Sequence, residues 1–372
     1  MQDQVIGNLT KREENAVMCL KFHPEEQILL STDINGYVHF NLFDLETRKC
    51  SFPENLSESP FAAHKQGSCR TLDFLSCTKI VTGGEDRRIV VSSFDPKIVS
   101  KYSLPNPVNV VKSLTENLLL AGDDEGALTG IDIRQSKQVF TIHEQEDFIS
   151  CICPALPSAS PLKAVIATSG DATLAVYDLR VLSSKTDKKR SKSSLVAMSD
   201  PQEDELNSCI VLNQEHHVVT GDASGVLGIW KQGFWGDLKD RLPLYPRSES
   251  SMDGAHSIEG MKKINEKEYV VVTSDGIIRQ INLFPNEVSR LVGVHRNPDD
   301  TEVTTITAFD CDVDVGLVAT SSGDSNGTIK FWSLKKSTDH LENTTGGDSP
   351  KVQKQIQQSS AKASKQSFFS DL

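Results

Sequence analysis

Short runs of alternating apolar and polar residues recur along the chain in a fixed order. "VMCLKF", "CRTLDFL", "VNVVKSL", "FISCICP", "NSCIVL", "GMKKI" and "VTTITAF" carry the period of two that puts every other side chain on one face of a strand. After a short polar turn each is followed by a more continuously apolar run: "QILLST", "KIVTGG", "NLLLAG", "AVIATS", "HVVTG", "YVVVTS" and "LVATSS". That second run leads into Asp, Asn or Gly, residues that tolerate the positive φ of a tight hairpin, and a third strand starts at once. The residues just before the third strand are Gly36, Arg87, Gly126, Ala172, Gly225, Gly276 and Gly327, spaced by 51, 39, 46, 53, 51 and 51 residues. Such a period is too long for one hairpin and suits four short strands. A weaker fourth strand is visible in "KQVFTI" and "SRLVGV". No segment of comparable length shows helical spacing, so the pattern predicts an all-β chain.

This grammar resembles that of the WD-repeat β-propeller, whose blades of four antiparallel strands pack radially. The resemblance implies a seven-bladed propeller over residues 1–336 and a structural network in which an Asp before the turn glycine holds a His from the start of the repeat and a strand hydroxyl, closed by an aromatic. In the fourth unit His143, Thr168 or Ser169, Asp171 and Tyr177 fit those roles. At the Asp position the units carry Asn35, Asp86, Glu125, Asp171, Ser224, Asp275 and Asn326; at the aromatic position they carry Asn41, Ser92, Ile131, Tyr177, Trp230, Ile281 and Trp332. Several blades must therefore rely on apolar packing. His64, His143, His256 and His295 are the candidate starting histidines. Ser, His and Asp recur around the whole ring, whereas a catalytic triad would occur once, so the pattern reads as structural. The last unit, ending at "FWSLKKS", lacks a fourth strand. Val5 to Thr10 has no unit of its own and is expected to complete the last blade, removing two free edges.

Charge and composition narrow the function. With 39 basic and 51 acidic residues the net charge is -12, which argues against a surface that binds nucleic acid throughout. No apolar run reaches the roughly 20 residues of a membrane span, and the first residues lack the apolar core of a signal peptide. A soluble intracellular protein without membrane contact is expected. The eight cysteines contain no Cys-x-x-Cys pair, and Cys151 and Cys153 fall on one face of a strand; reduced, buried thiols are expected. No phosphate loop, nucleophile elbow or His-Glu-x-x-His pair is present, so neither an enzyme nor a cofactor or metal site is expected.

Two insertions and a tail leave the repeat. The first, about residues 181–194, holds the basic run Lys188, Lys189, Arg190 and Lys192 with Lys185, which reads as a solvated loop, a nuclear-import signal or a local RNA contact. The second, about 231–256, brings Phe234, Trp235 and Tyr245 either to a blade edge or to a partner. Residues 337–372 are expected to be disordered, with Phe368 and Phe369 docking to a partner, folding back or idle. The phrases "MCLKFHPEEQILLSTDINGYVHFNLFD", "GDDEGALTGIDIRQ", "TSGDATLAVYDLR" and "VTSDGIIRQINLFPNEV", in this order and with these departures, resemble the WD repeat-containing protein 55 family. That resemblance implies a nucleolar scaffold for protein–protein interactions in ribosomal RNA processing and large-subunit assembly, a monomer within a larger complex of pre-ribosomal factors. "IDIR" and "YDLR" also resemble the box by which some propellers, as substrate receptors, contact the adaptor of cullin-RING ubiquitin ligases, with Arg134 and Arg180 as the contact residues.

Overall fold

In the computed structural model of the chain, the seven sequence units form seven antiparallel sheets. The structure describes residues 5–9, 15–44, 49–51, 61–95, 97–135, 137–183, 194–245, 256–297, 301–323 and 327–334, with backbone only for 5–9 and 49–51. The chain is a seven-bladed β-propeller. Each blade starts at its innermost strand: Val17–Phe22, Cys69–Ser76, Val108–Ser113, Ile149–Pro154, Leu206–Leu212, Ile258–Lys263 and Ile306–Asp312 in blades 1 to 7. The more continuously apolar second strands, such as Ile28–Asp33 and Leu317–Ser322, are buried along their whole length, because sheets cover both of their faces. The outer strands carry the exposed apolar residues, among them Val99, Val139 and Val196. Among the described residues the only helix is the four-residue Arg180–Ser183, and no helix is long and apolar enough to cross a membrane.

The core lies between blades. Val81, Ile89 and Val91 of blade 2 pack with Val111, Leu119 and Ile131 of blade 3, and Trp230 of blade 5 packs with Ile166 and Val176 of blade 4. A single blade is too thin to bury its own apolar faces, so stability belongs to the closed ring.

The hairpin between the second and third strands repeats with little variation. Gly36, Arg87, Gly126, Ala172, Gly225, Gly276 and Gly327 all have φ between 54° and 84°. In blade 1 the Gly36 N–H donates to the Asp33 carbonyl, closing a turn that ends in a left-handed residue; Arg87 and Ala172 make the same bond. Glycine is required at Gly36, where an added Cβ would stand 1.8 Å from the His64 carbonyl oxygen. In blades 2 and 4 the left-handed site holds a residue with a Cβ.

The seventh sheet contains both ends of the propeller. Val5–Leu9 lies antiparallel to Ile329–Ser333, with Val5 opposite Trp332 and Leu9 opposite Ile329, and the sheet continues through Leu317–Ser322 to Ile306–Asp312. Removing residues 1–10 would strip one ladder from this blade. We expect thermal unfolding to move down by an amount equivalent to several kcal/mol, at about 1 kcal/mol per lost backbone bond. An unchanged melting temperature would contradict closure through this strand.

Candidate functional site

The hairpin turns lie on the same face as the loops that enter the inner strands, because the two are bonded in every blade. Ile34 N–H donates to Ala16 O, and Glu85, Asp124, Gly170, Ala223, Ser274 and Gly323 make the same bond to Ser68, Pro107, Phe148, Glu205, Ser257 and Thr305. We call this the turn face. The first N–H of each third strand points into its hairpin, where no ladder partner reaches it. In six blades an aspartate accepts it. Asp86, Asp171 and Asp275, each one residue before the left-handed position, accept from Arg88, Thr173 and Ile277. In the odd-numbered blades this corrects the expectation: Asn35, Glu125 and Ser224 do not hold the turn. Asp33, Asp123 and Asp222, two residues earlier, accept from Tyr37, Ala127 and Val226 at 2.7–2.8 Å. In blade 7 the equivalent stretch, including Asn326, lies outside the described residues.

The starting residue is a histidine in some blades only. In blade 2 His64 Nδ1 is 2.7 Å from Asp86 and its Nε2 is 3.0 Å from the Thr82 hydroxyl. Burial moves its pKa down despite the carboxylate, so the buried ring is held neutral by this environment. In blade 7 His295 meets Thr320 at 2.7 Å, and Trp332 Nε1 donates to the same hydroxyl. The fourth blade departs from expectation. His143 sits at an exposed strand end against the Glu125 carbonyl, and the place is taken by buried Gln145, which donates to the Thr173 hydroxyl; that hydroxyl in turn donates to Asp171. His143 is two residues too early in the chain to reach Asp171. In blade 6 His256 packs at a tilt against Tyr245, and it is the Tyr245 hydroxyl that donates to Asp275 while Arg279 donates to Thr273. Tyr245 thus belongs to the network, Trp235 is buried in the blade 4–5 core, and Phe234 is exposed.

In blades 1, 3, 4, 5 and 6 the second-strand residue five before the left-handed position and the aromatic-site residue five after it vary together. Ser31 accepts from Asn41, and Thr220 from Trp230. Where the second strand has Ala121, Ala167 or Val271, the partner is Ile131, Tyr177 or Ile281, each buried in apolar contacts. Blade 2 departs from this pairing: the Ser92 hydroxyl is buried without a hydrogen-bond partner.

The seven inner strands surround a central channel of about 900 Å³. Every inner strand has a bulge after its first residue, at Val17, Cys69, Val108, Ile149, Leu206, Ile258 and Ile306. Counting from there, the fifth residues are Lys21, Asp73, Lys112, Cys153, Ile210, Lys262 and Asp310. Read around the ring from Lys262, charges alternate: Lys262, Asp310, Lys21, Asp73, Lys112. Lys262 Nζ is 2.6 Å from Asp310, and Lys112 Nζ is 3.2 Å from Asp73. Burial alone would raise both carboxyls; Lys112 and Lys21 together hold Asp73 below the ordinary carboxylate range, and Lys262 and Lys21 do so for Asp310. The same two carboxylates push the Lys21 ammonium up against its own burial.

Each carboxylate also joins neighbouring blades. Asp310 accepts the Phe22 N–H at 2.9 Å and Asp73 the Ser113 N–H at 2.9 Å. The other junctions use related contacts: His23 on the Cys77 carbonyl, Asn109 donating to Ile149 O, Ser150 to Leu206 O, and Glu266 accepting the Gln214 N–H. This belt was not anticipated; aligning the inner strands on their first residue would have exposed the alternation.

Arg134 and Arg180 occupy equivalent places at the far ends of third strands in blades 3 and 4. Each makes a two-point ion pair with the Asp two residues before it, Asp132 and Asp178, and stays half to two-thirds exposed. Arg134 brings the Asp132 carboxyl down to about 2. The run Lys188, Lys189, Arg190 and Lys192 and the tail with Phe368 and Phe369 lie outside the described residues. Among the described residues no group of three or more His, Cys, Asp or Glu is placed to hold a metal ion.

No protein-family model matches the chain. It is 26% identical over 322 residues to WD repeat-containing protein 55 of Arabidopsis thaliana, covering 85% of this chain and 80% of that one. It is 26% identical over 365 residues to WD repeat-containing protein 55 homolog of Drosophila melanogaster, covering 96% of this chain but 65% of that longer protein. WD repeat-containing protein JIP5 of Cryptococcus neoformans is 25% identical over 287 residues, 74% of this chain and 70% of that one. Propeller architecture and relatives so named fit a protein-interaction scaffold.

Two outcomes test this geometry. Asp222→Ala leaves the Val226 and Ser224 N–H groups without an acceptor and is expected to cost about 1–3 kcal/mol, with Ser224→Ala well below that; equal urea midpoints would contradict the assignment. Because Asp73 and Asp310 have depressed pKa values, their contribution is present above the unfolded value of about 3.9 and is lost as pH falls through the lower folded value. The melting-temperature loss caused by Lys21→Met should therefore be largest near pH ~6 and shrink toward pH ~3. A loss independent of pH would remove Lys21 from the belt.

Proposed function

We propose that this chain, a seven-bladed WD-repeat propeller similar to proteins named WD repeat-containing protein 55, is a non-enzymatic scaffold in ribosome biogenesis, working in the nucleolus in ribosomal RNA processing and large-subunit assembly. The observation that carries the reading is the extent of the similarity. It runs through 85–96% of the chain, across blades that depart individually from the WD pattern, rather than through one shared repeat. The departures in "MCLKFHPEEQILLSTDINGYVHFNLFD" and "DGIIRQINLFPN" are what distinguish this order from other propellers.

The surface suggests the chemistry of the partners. On the turn face of blades 3 to 5, Glu125, Glu144, Glu146, Asp147 and Glu205 are exposed. Bare RNA is repelled by such a face, whereas a basic protein is steered toward it. RNA contact, if any, falls to the basic run at Lys188–Lys192. A second reading, receptor for a cullin-RING ubiquitin ligase, is favoured by one observation: Arg134 and Arg180 stand in matching poses on adjacent blades, each already oriented by its aspartate.

Affinity purification of the full chain from cells, with and without ribonuclease, separates the two. Identified pre-ribosomal proteins retained after ribonuclease support the scaffold; a cullin with its adaptor, lost in Arg134→Ala/Arg180→Ala, supports the receptor. For localisation, replacing Lys188, Lys189, Arg190 and Lys192 with Ala is expected to leave the melting temperature within about 1 °C, since the run falls in a polar stretch outside the repeat pattern of the sequence, and to shift a fluorescent fusion toward the cytoplasm. An unmutated fusion that never enters the nucleus would defeat the ribosome-assembly reading.

A further inference from the structure

The channel wall between blades 4 and 5 is built differently from the rest of the ring. At the position where Asp73 and Asp310 join their blades to the next through carboxylate–amide bonds, blade 4 has Cys153 and blade 5 has Ile210. Three thiols gather there instead. Cys151 and Cys153 share the channel side of Ile149–Pro154, and Cys209 lies on the neighbouring inner strand. The Cys209 and Cys151 sulfurs are 3.7 Å apart. Cys151 is half-buried and lines the channel, so a reagent the size of water can reach it.

We propose that Cys151 and Cys209 form a peroxide-sensitive dithiol, with Cys151 attacking and Cys209 resolving, whose oxidised form is a disulfide joining the inner strands of blades 4 and 5. The Cys151 thiolate attacks one oxygen of hydrogen peroxide. An S–O bond forms, the O–O bond breaks, and hydroxide leaves and is protonated, giving a sulfenic acid. Cys209 then attacks that sulfur. The S–S bond forms, the S–O bond breaks and water departs. Two thiols and one peroxide become one disulfide and two waters, and the two sulfurs are already in contact for the second step.

Electrostatics single out the attacking thiol. The Cys209 S–H donates to the Cys151 sulfur and lowers its pKa against burial, with Lys112 and Lys21 of the channel belt adding to the effect. Burial pushes Cys19, Cys69 and Cys311 the other way, so those thiols hold their protons and react slowly. The disulfide would add a covalent tie to a junction that Ser150 and the Glu215 carboxylate, which accepts from Ser158, already join by hydrogen bonds.

The test uses the folded full-length chain, treated with hydrogen peroxide, alkylated with N-ethylmaleimide and digested for peptide mapping. We expect one principal linked pair, Cys151 to Cys209, lighter by two hydrogens and reopened by dithiothreitol, in protein that melts higher than the reduced form. In Cys209→Ser the link should disappear and dimedone should label Cys151. Because mapping the unsubstituted protein already identifies the pair, poor folding of the variant does not blunt the test. Full alkylation of Cys151 and Cys209 after peroxide, a Cys153–Cys209 link instead, or a link formed only in urea would each overturn the proposal.

Discussion

A propeller has one open account in its backbone: every inner strand has a ladder partner on its outer side and none on the side facing the channel and the next blade. Those N–H and C=O groups cannot be left dry and unpaired. Here side chains satisfy them, reaching from one blade to the next: Asp310 to the Phe22 amide, Asp73 to the Ser113 amide, Thr71 to the Val111 amide, Asn109 to the Ile149 carbonyl and Thr307 to the Val17 carbonyl. The bulge at the start of each inner strand makes this possible by turning successive residues toward the channel. Once a carboxylate is used in that role it needs a cation, and the alternating belt of Lys262, Asp310, Lys21, Asp73 and Lys112 follows. Closure, channel lining and charge pattern are consequences of one unpaired edge repeated seven times.

The same reasoning explains the turn face. The first amide of each third strand needs an acceptor, and an aspartate can supply it from either of two positions in the hairpin. Among the six described hairpins the position alternates from odd to even blades. Aspartates in the even blades also tie down the loop that crosses the turn, through His64, the Glu146 amide or Tyr245. The turn face is therefore held by paired groups, leaving the exposed carboxylates of blades 3 to 5 on a firm platform for partners.

Much of this was legible in the sequence. Period-two runs located the strands, and the seven turn residues were found even where Arg87 and Ala172 stand in place of glycine, because the flanking pattern, not the glycine, marks the turn. The missing fourth strand of the last blade followed from counting strands. What stayed hidden depends on side chains reaching across space. Asp33, Asp123 and Asp222 escape the repeat pattern because that pattern puts the aspartate one before the turn residue, whereas the physical requirement is for an acceptor within reach of one amide. Gln145 was overshadowed by His143, since a glutamine amide can fill a histidine's place and residue type alone does not show it. The belt charges are far apart in sequence and meet only when the ring closes.

These features bear on function through rigidity. A scaffold binds by presenting a fixed surface, and here the fixing agent is the set of ties between inner strands. Native-state hydrogen exchange measures it most directly. Phe22 and Ser113 have no ladder partner for their amides on the channel side, yet both should exchange slowly. In Asp310→Ala the Phe22 amide should exchange faster by about tenfold or more, the equivalent of a lost bond of roughly 1.4 kcal/mol, while Ser113, held by Asp73, stays protected. Equal exchange of both amides in the unsubstituted protein and the variant would contradict the account.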